Sequence, residues 1–181
     1  WEPYFSSPGE KVIEMDPGMA FGTGSHETTR LCAQMLESYA AEGMIGADIG
    51  TGSGILAMIM KLYGANRIEC VDTDPVAVRV AKENIALNNM GSVNVVKGSV
   101  KSLPKLNYDI ITANIIADVI LSISDDITDY LKKGSYFIAS GIIRERRDEV
   151  LERYRQLGFV DEKVLGIGEW VGICFRWQGF L

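Results

Sequence analysis

The chain has 181 residues, a length that suits one domain of ordinary size. Its apolar fraction of 47% and its charged fraction of 23% are close to average, which excludes disordered, collagen-like and low-complexity proteins. No apolar run reaches the ~20 residues that a membrane-spanning helix needs, and the N-terminus does not resemble a signal peptide.

The net charge of −6 argues against a strongly basic face for a nucleic-acid backbone. The three cysteines, Cys32, Cys70 and Cys174, form no CxxC pair, so neither a zinc site nor a disulfide framework is indicated. We therefore expect a cytoplasmic protein with no metal, no membrane contact and no direct nucleic-acid binding.

The predicted elements follow one another in a regular rhythm. Residues 1–25 are rich in Pro and Gly, and only Lys11–Met15 looks extended. Apolar residues at helical spacing then predict a helix from Glu27 to about Ala41, which begins at Ser25 or His26. The rest of the chain predicts strands at 44–49, 67–71, 93–97, 108–113, 135–140, 159–165 and 170–177, and helices at 55–63, 75–89, 116–131 and 144–157.

This alternation of strands and helices predicts an α/β fold, in which a mostly parallel, twisted sheet of seven strands carries helices on both faces. Gly166–Glu169 reads as the turn of a C-terminal hairpin that adds an antiparallel strand. Pro75 falls in the first turn of its helix, where a missing N–H costs nothing, and Asp74 is placed to cap that helix. The charged helix 144–157 is most simply a solvated outer face.

A glycine-rich turn follows the first predicted strand and opens a helix. In Asp48-Ile49-Gly50-Thr51-Gly52-Ser53-Gly54 the glycines let the chain turn tightly and let a ligand approach the backbone. The free N–H groups of the helix N-terminus attract an anionic group. Alone, the pattern is also compatible with a plain strand-to-helix turn.

Three further features point to an adenosyl ligand. Asp72 ends the next strand, 22 residues after Gly50, where a carboxylate can bind a ribose diol, although an exposed strand-end carboxylate is the simpler alternative. Ile55 stands where dinucleotide enzymes have a third glycine, and no GxxxxGK[ST] motif is present. A ribose site without a pyrophosphate site fits S-adenosylmethionine, whose ammonium group Asp48 could bind directly or through water.

The chain resembles the class I methyltransferases and, more narrowly, the PrmA family, which methylates amino groups of large-subunit ribosomal protein eleven. The resemblance rests on the strings DPGMAFGTGSHETT (16–29), DIGTGSGILA (48–57), VDTDPVAV (71–78) and ANIIA (113–117), and on the closing GIGEWVGICFRW. It implies a Rossmann-like fold, S-adenosylmethionine as cofactor, and a ribosomal protein as substrate.

The family also has an N-terminal module that recognises the ribosomal protein, and at most a dozen residues precede the match here. Either that module lies outside this sequence or the chain is a shorter relative. We expect residues 1–181 to form a single methyltransferase domain, with 1–25 as an extension and flap loop.

The same resemblance makes Asn114, directly after the strand 108–113, a residue that contacts cofactor or substrate. Its amide oxygen could orient the acceptor amine, although an Asn at this position could equally cap the next helix. In the flap loop, Thr23 and Thr29 are expected to contact the methionine part of the cofactor, with helix capping as the alternative for Thr28 and Thr29. His26 is either a catalytic base or, more simply, a structural hydrogen-bonding residue.

The adenine is expected beside Gly98-Ser99-Val100, after the third strand, with contacts from Ser99 and Thr73. Many relatives carry an acidic residue where this chain has Ser99. The hypotheses left open are a protein amine methyltransferase, a methyltransferase for another protein or a small molecule, and a non-catalytic module that binds an adenosyl group or NAD.

Overall fold

The computed structural model describes residues 7–15 and 25–179. Its strands are β1 (Ile45–Ile49), β2 (Arg67–Asp72), β3 (Val93–Lys97), β4 (Tyr108–Asn114), β5 (Leu131–Ile143), β6 (Phe159–Ile167) and β7 (Trp170–Trp177). Its helices are α1 (Glu27–Tyr39), α2 (Ile55–Leu62), α3 (Pro75–Leu87), α4 (Ala117–Ser122), α5 (Ser124–Ile127) and α6 (Arg147–Gln156).

The strands form a single seven-stranded sheet in the order β3-β2-β1-β4-β5-β7-β6. The pairings from β3 across to β5 are parallel, and β7 runs antiparallel to both of its neighbours. The predicted α/β class, the seven strands and the antiparallel hairpin are therefore confirmed. The chain moves outward from β1 to β3 and then returns to place β4 on the other side of β1, and such a reversal leaves a crevice at the carboxyl ends of the strands.

Two apolar clusters hold the helices against the sheet. The first contains core residues of α1, α2 and α3, and the second contains those of α4 and α6. In the second cluster Tyr154 stacks on Phe137 and Phe175, with ring centroids 5.2 and 4.8 Å apart. The Tyr154 hydroxyl donates to the carbonyl of Ile120 at 2.8 Å, which satisfies both groups inside the core.

Helix α3 begins as its sequence predicts. Asp74 accepts a hydrogen bond from the backbone N–H of Val76 at 2.8 Å, and Pro75 is the first helical residue. Helix α2 starts differently, because Gly54 enters it with a left-handed φ of 85° and no side-chain cap.

The predicted single helix 116–131 is wrong. The chain forms the short helices α4 and α5 and then a 3₁₀ turn at Thr128–Tyr130, and β5 already begins at Leu131. The break falls in a stretch of Ser and Asp, residues whose side chains compete for backbone hydrogen bonds, and the Ser122 hydroxyl donates to the carbonyl of Val119 at 2.8 Å. Two short helices therefore cover the sheet where one long helix was expected.

The charged segment after β5 is only partly the solvated face that its composition indicates. It starts as a 3₁₀ turn at Arg144–Arg146 and continues as α6, whose Val150, Leu151 and Tyr154 are buried. Its arginines form ion pairs with Asp118, Asp125 and Asp161 on neighbouring elements.

Residues 11–15 were expected to be extended, and they form no strand of the sheet. They are instead fastened to the end of α3 by Asn88, whose amide accepts from the N–H of Glu14 at 2.8 Å and donates to its carbonyl at 2.7 Å. Ile13 and Met15 pack against the cluster formed with α1, α2 and α3.

The aromatic stack gives a direct test of the core. Tyr154→Phe should lower the free energy of unfolding by about 1 kcal/mol, because the Ile120 carbonyl loses its donor. Tyr154→Ala should lower it by about 3–5 kcal/mol, because a cavity is added. Urea denaturation measures both values, and equal losses for the two variants would contradict the packing role. Arg147→Ala, on the exposed side of α6, is the matched control and should unfold as the wild type does.

Candidate functional site

The glycine-rich turn is hydrogen-bonded to the end of β2 at the carboxyl edge of the sheet. The N–H groups of Gly50 and Thr51 both donate to the carbonyl of Val71, at 2.8 and 3.1 Å. Gly50 and Gly52 have φ values of 70° and 55°, a region that L side chains rarely adopt. A Cβ on Gly50 would also lie 2.4 Å from Cγ2 of Ile115, so another residue would be strained and would force Ile115 to move.

Asp48 lies beneath this turn and is almost fully buried, with an exposed fraction of 1%. Its carboxylate accepts hydrogen bonds from the hydroxyls of Thr51 at 2.7 Å and Thr112 at 2.6 Å. Burial raises the pKa of Asp48 to about 6, and the two hydroxyl donors limit that rise. Asp48 lines neither of the two cavities described below, and both of its oxygens accept from protein hydroxyls. In the structure these bonds hold the turn, and the expected contact with a ligand ammonium, directly or through water, stays a prediction.

Asp72 connects the end of β2 to the same turn. One carboxylate oxygen accepts from the N–H of Gly52 at 2.9 Å, and the other accepts from the N–H of Asp74, also at 2.9 Å. An ionised carboxylate has about four acceptor positions, so each oxygen can still accept from a ligand hydroxyl. The alternative of a merely exposed strand-end carboxylate is excluded, because Asp72 is half-buried and organises the turn.

Two cavities adjoin at the glycine-rich turn. The first has a volume of about 270 Å³, and Thr29, Asn114 and Trp170 are among the residues that line it. The second has a volume of about 440 Å³ and is lined in part by Asp72, Thr73 and Ser99. Gly50, Gly52 and Ile115 border both cavities. One elongated ligand can therefore lie across the turn, with its two ends in different surroundings.

Asn114 is the last residue of β4 and faces the first cavity. Its side-chain amide donates to the hydroxyl of Thr29 at 3.3 Å, across 85 residues of sequence. The capping alternative is excluded, because α4 has Ile116 at its N-cap position and no side-chain cap. The contact uses the amide nitrogen, and the amide oxygen of Asn114 is a separate hydrogen-bond acceptor.

The sequence left open whether His26 is a catalytic base or a structural hydrogen-bonding residue. In the structure His26 is the N-cap of α1. Its Nδ1 accepts from the N–H of Thr28 at 3.3 Å and lies 2.9 Å from the hydroxyl of Thr28. Its ring meets the edge of Trp170, with centroids 5.4 Å apart, and both residues line the first cavity. Capping by Thr28 or Thr29 is therefore not observed, and His26 has the structural contacts that its position favours.

Of the residues that the sequence singled out, Thr29, Gly50, Gly52, Asp72, Thr73, Ser99 and Asn114 border the two cavities. Their roles toward a ligand stay predictions. Thr23 and the rest of the flap segment 16–24 lie outside the described residues.

Sequence reasoning missed Trp170, Gly141 and Thr112. Trp170 begins β7, and Gly141 has a φ of 82° and would bring a Cβ within 2.5 Å of the Ile115 carbonyl. Only the Trp in the closing hairpin carried a signal, through the family resemblance. Thr112 carried none, because a Thr within a buried strand looks like any β-branched core residue.

Within residues 7–15 and 25–179, no group of three or more His, Cys, Asp or Glu side chains is arranged to hold a metal ion. No helix in that part of the chain has the length and apolar character needed to cross a membrane. All three cysteines are buried as free thiols.

Comparison with known proteins places this site in a family. A family model described as "Ribosomal protein L11 methyltransferase (PrmA)" matches residues 1–178. Proteins named ribosomal protein L11 methyltransferase are 49% identical in Acetivibrio thermocellus, over 97% of this chain, and 48% identical in Clostridium perfringens, over 94%. The chain spans only 56% and 54% of the length of these two curated relatives.

Solved structures agree with the fold. A ribosomal protein L11 methylase from Lactobacillus delbrueckii subsp. bulgaricus superposes with a TM-score of 0.89 and 29% identity, covering 98% of this chain and 90% of that one. A methyltransferase from Pyrococcus furiosus superposes with a TM-score of 0.73 over 93% of this chain and 89% of that one. Its 20% identity supports the fold alone.

The buried carboxylate gives a pH-dependent prediction. The pKa of Asp48 is raised in the folded state, so the contribution of this one group to the free energy of unfolding falls as pH rises from about 4 to about 6 and no further above that. A rise from 3.8 to about 6 corresponds to roughly 3 kcal/mol. Asp48→Asn does not titrate, so the free energy of unfolding of the wild type relative to this variant should fall by up to this amount between about pH 4 and about pH 7.

Urea denaturation of both proteins across this pH range measures the difference. The ion-paired carboxylates Asp148 and Asp161, whose pKa values are lowered by Arg147 and Arg155, are common to both proteins and cancel. A difference that does not vary with pH would contradict the burial cost.

Proposed function

Because this chain belongs to the ribosomal protein L11 methyltransferase (PrmA) family, we propose that it transfers methyl groups from S-adenosylmethionine to amino groups of a ribosomal protein. The acceptors are lysine side chains or an N-terminal amine. The observation that carries the proposal is the pair of cavities that adjoin at Gly50 and Gly52, with Asp72 beside one and Asn114 beside the other.

The residues present fit an adenosyl cofactor with an amino-acid tail. Asp72 binds the ribose hydroxyls, since its oxygens retain acceptor positions next to the second cavity. Ser99 and Thr73, which border the same cavity, would hold the adenine. Gly50 and Gly52 would hold the methionine part, because glycine allows close approach to the backbone.

The cofactor supplies a methyl group that its sulfonium has already activated, so the transfer is an in-line displacement. The protein supplies orientation, which lowers such barriers by up to about 7–11 kcal/mol. Asn114 directs its amide oxygen toward the acceptor amine. The hydrogen bond from its amide nitrogen to the hydroxyl of Thr29 fixes the orientation of the side chain. Ile116 and Trp170 give the same cavity an apolar wall, where desolvation favours the neutral amine that attack requires.

The acceptor is assigned through the relatives, which carry the name of their substrate. The relative from Acetivibrio thermocellus is 49% identical over 97% of this chain. We propose residues 1–181 as one methyltransferase domain and the cytoplasm as its location.

Asp72 tests the cofactor assignment. Asp72→Ala should weaken binding of S-adenosylmethionine at least tenfold, because both the ribose contacts and the hold on the Gly52 N–H are lost. Isothermal titration calorimetry measures the affinity. Asp129→Ala, which removes a surface carboxylate paired with Lys105, is the matched control and should bind as the wild type does. Unchanged affinity in Asp72→Ala would refute the ribose assignment.

Asn114 tests the reaction and the acceptor together. The protein at its full length, incubated with methyl-labelled S-adenosylmethionine and unmethylated ribosomal protein L11, should transfer label to that protein. Asn114→Ala should lower kcat about a hundredfold with little change in cofactor affinity, because the amine loses its orientation. Asn94→Ala, whose amide contacts Glu69 at the far side of the sheet, should keep the full rate. Label on another protein or a small molecule, and none on L11, would refute the acceptor assignment.

A further inference from the structure

A chain of buried polar groups runs from the middle of β4 to the glycine-rich turn. Thr112 is fully buried, Asp48 is 1% exposed and Thr51 is 4% exposed. None of the three can use bulk water as a partner, so each must be satisfied inside the protein. Thr112 lines neither cavity, so an influence on a ligand there must be indirect, and the hydrogen bonds lead through the other two residues.

Asp48 is the acceptor that joins the other two side chains. The hydroxyl of Thr112 donates to one oxygen of Asp48 at 2.6 Å, and the hydroxyl of Thr51 donates to the other at 2.7 Å. The carbonyl of Ala47 lies farther from the Thr112 hydroxyl, at 3.4 Å. Both bonds are strongest when Asp48 is ionised, because a charged acceptor binds a donor more strongly than a protonated carboxyl group does.

Thr51 transmits this arrangement to the backbone that borders the cavities. It stands between Gly50 and Gly52, and its own N–H donates to Val71 at 3.1 Å. Its side chain is the only one in the turn segment 50–52, because both neighbours are glycines. The bond from Thr51 to Asp48 therefore restrains the backbone of residues 50–52, which is conformationally permissive by itself because of its glycines.

We propose that Thr112 is a positioning residue for S-adenosylmethionine, which acts through Asp48 and Thr51 to hold the Gly50–Gly52 backbone in its ligand-binding conformation. The inference rests on the proposed function, because it concerns the cofactor of that same site. It adds a residue on β4 that does not touch the ligand.

The charges around Asp48 determine the expected pH dependence. Asp72 and Cys70 face it from β2 and Cys32 faces it from α1. Burial raises the pKa of both thiols, so they stay neutral, while the negative charge of Asp72 raises the pKa of Asp48. The hydrogen bond from Thr112 lowers the pKa of Asp48, so its loss should raise that pKa further.

The test compares Thr112→Val with a matched core variant. Thr128→Val also removes the hydroxyl of a buried threonine, one that donates to the carbonyl of Asp125 at 2.8 Å, away from both cavities. Calorimetric titration with S-adenosylmethionine should give about tenfold weaker binding for Thr112→Val and unchanged binding for Thr128→Val. Thr112→Ser restores the hydroxyl and should restore the affinity.

The pH profile supplies a readout that a general loss of stability would not change. The affinity of the wild type should fall as pH is lowered through about 6, and in Thr112→Val this fall should begin at a higher pH. His26 lines the first cavity and is present in both proteins, so the shift between the two profiles reports Asp48.

Each outcome decides between the two proposals. Equal affinity and an equal pH midpoint for Thr112→Val and the wild type, or equal losses in Thr112→Val and Thr128→Val, would overturn the role of Thr112. A wild type that binds no S-adenosylmethionine would instead overturn the proposed function. If Thr112→Val does not fold, a flat wild-type profile, or an acid fall that persists in Asp48→Asn, would overturn the inference.

Discussion

Hydrogen bonds from two parallel strands, β1 and β2, hold a single turn at the carboxyl edge of this sheet. β2 contributes the Val71 carbonyl and the Asp72 carboxylate, β1 contributes Asp48, and Thr112 of β4 supports the turn indirectly by donating to Asp48. The turn is mostly glycine and has no rigidity of its own, so its shape depends on these external bonds. The two cavities share this turn as a wall, and the geometry of the whole site depends on it.

The sequence predicted the fold to the extent that its patterns are local. The strand-turn-helix from Ile45 to Leu62 and the capped start of α3 depend on neighbouring residues, and both were predicted close to their observed bounds. The long helix predicted at 116–131 failed for the opposite reason. Its apolar spacing continues through the break, while the register of β5 against β4, which pairs Leu131 with Tyr108, is decided by tertiary contacts.

The residues of the candidate site likewise fall into those that local sequence patterns predict and those that tertiary contacts decide. Gly50, Gly52 and Asp72 stand at strand ends, where the topology of an α/β sheet alone predicts a ligand. The bond between Asn114 and Thr29 joins residues 85 positions apart, and no periodicity in the sequence predicts it. Trp170 and Thr112 reach the site only because β7 and β4 lie where the complete sheet places them. The family resemblance, and not sequence spacing, indicated Asn114 as a site residue. Thr112 was found only from the geometry of the structure.

The antiparallel position of β7 has a consequence for how the sheet is assembled. Within the described residues, β6 pairs with the sheet only through β7, although β6 comes first in the chain. In this part of the chain β6 therefore joins the sheet only when β7 is in place, because β7 couples it to β5. Trp170, at the start of β7, lines the first cavity, so that wall is complete only when β7 has paired with β5. A ligand that needs this wall would therefore stabilise the complete sheet over a form in which β7 has not docked.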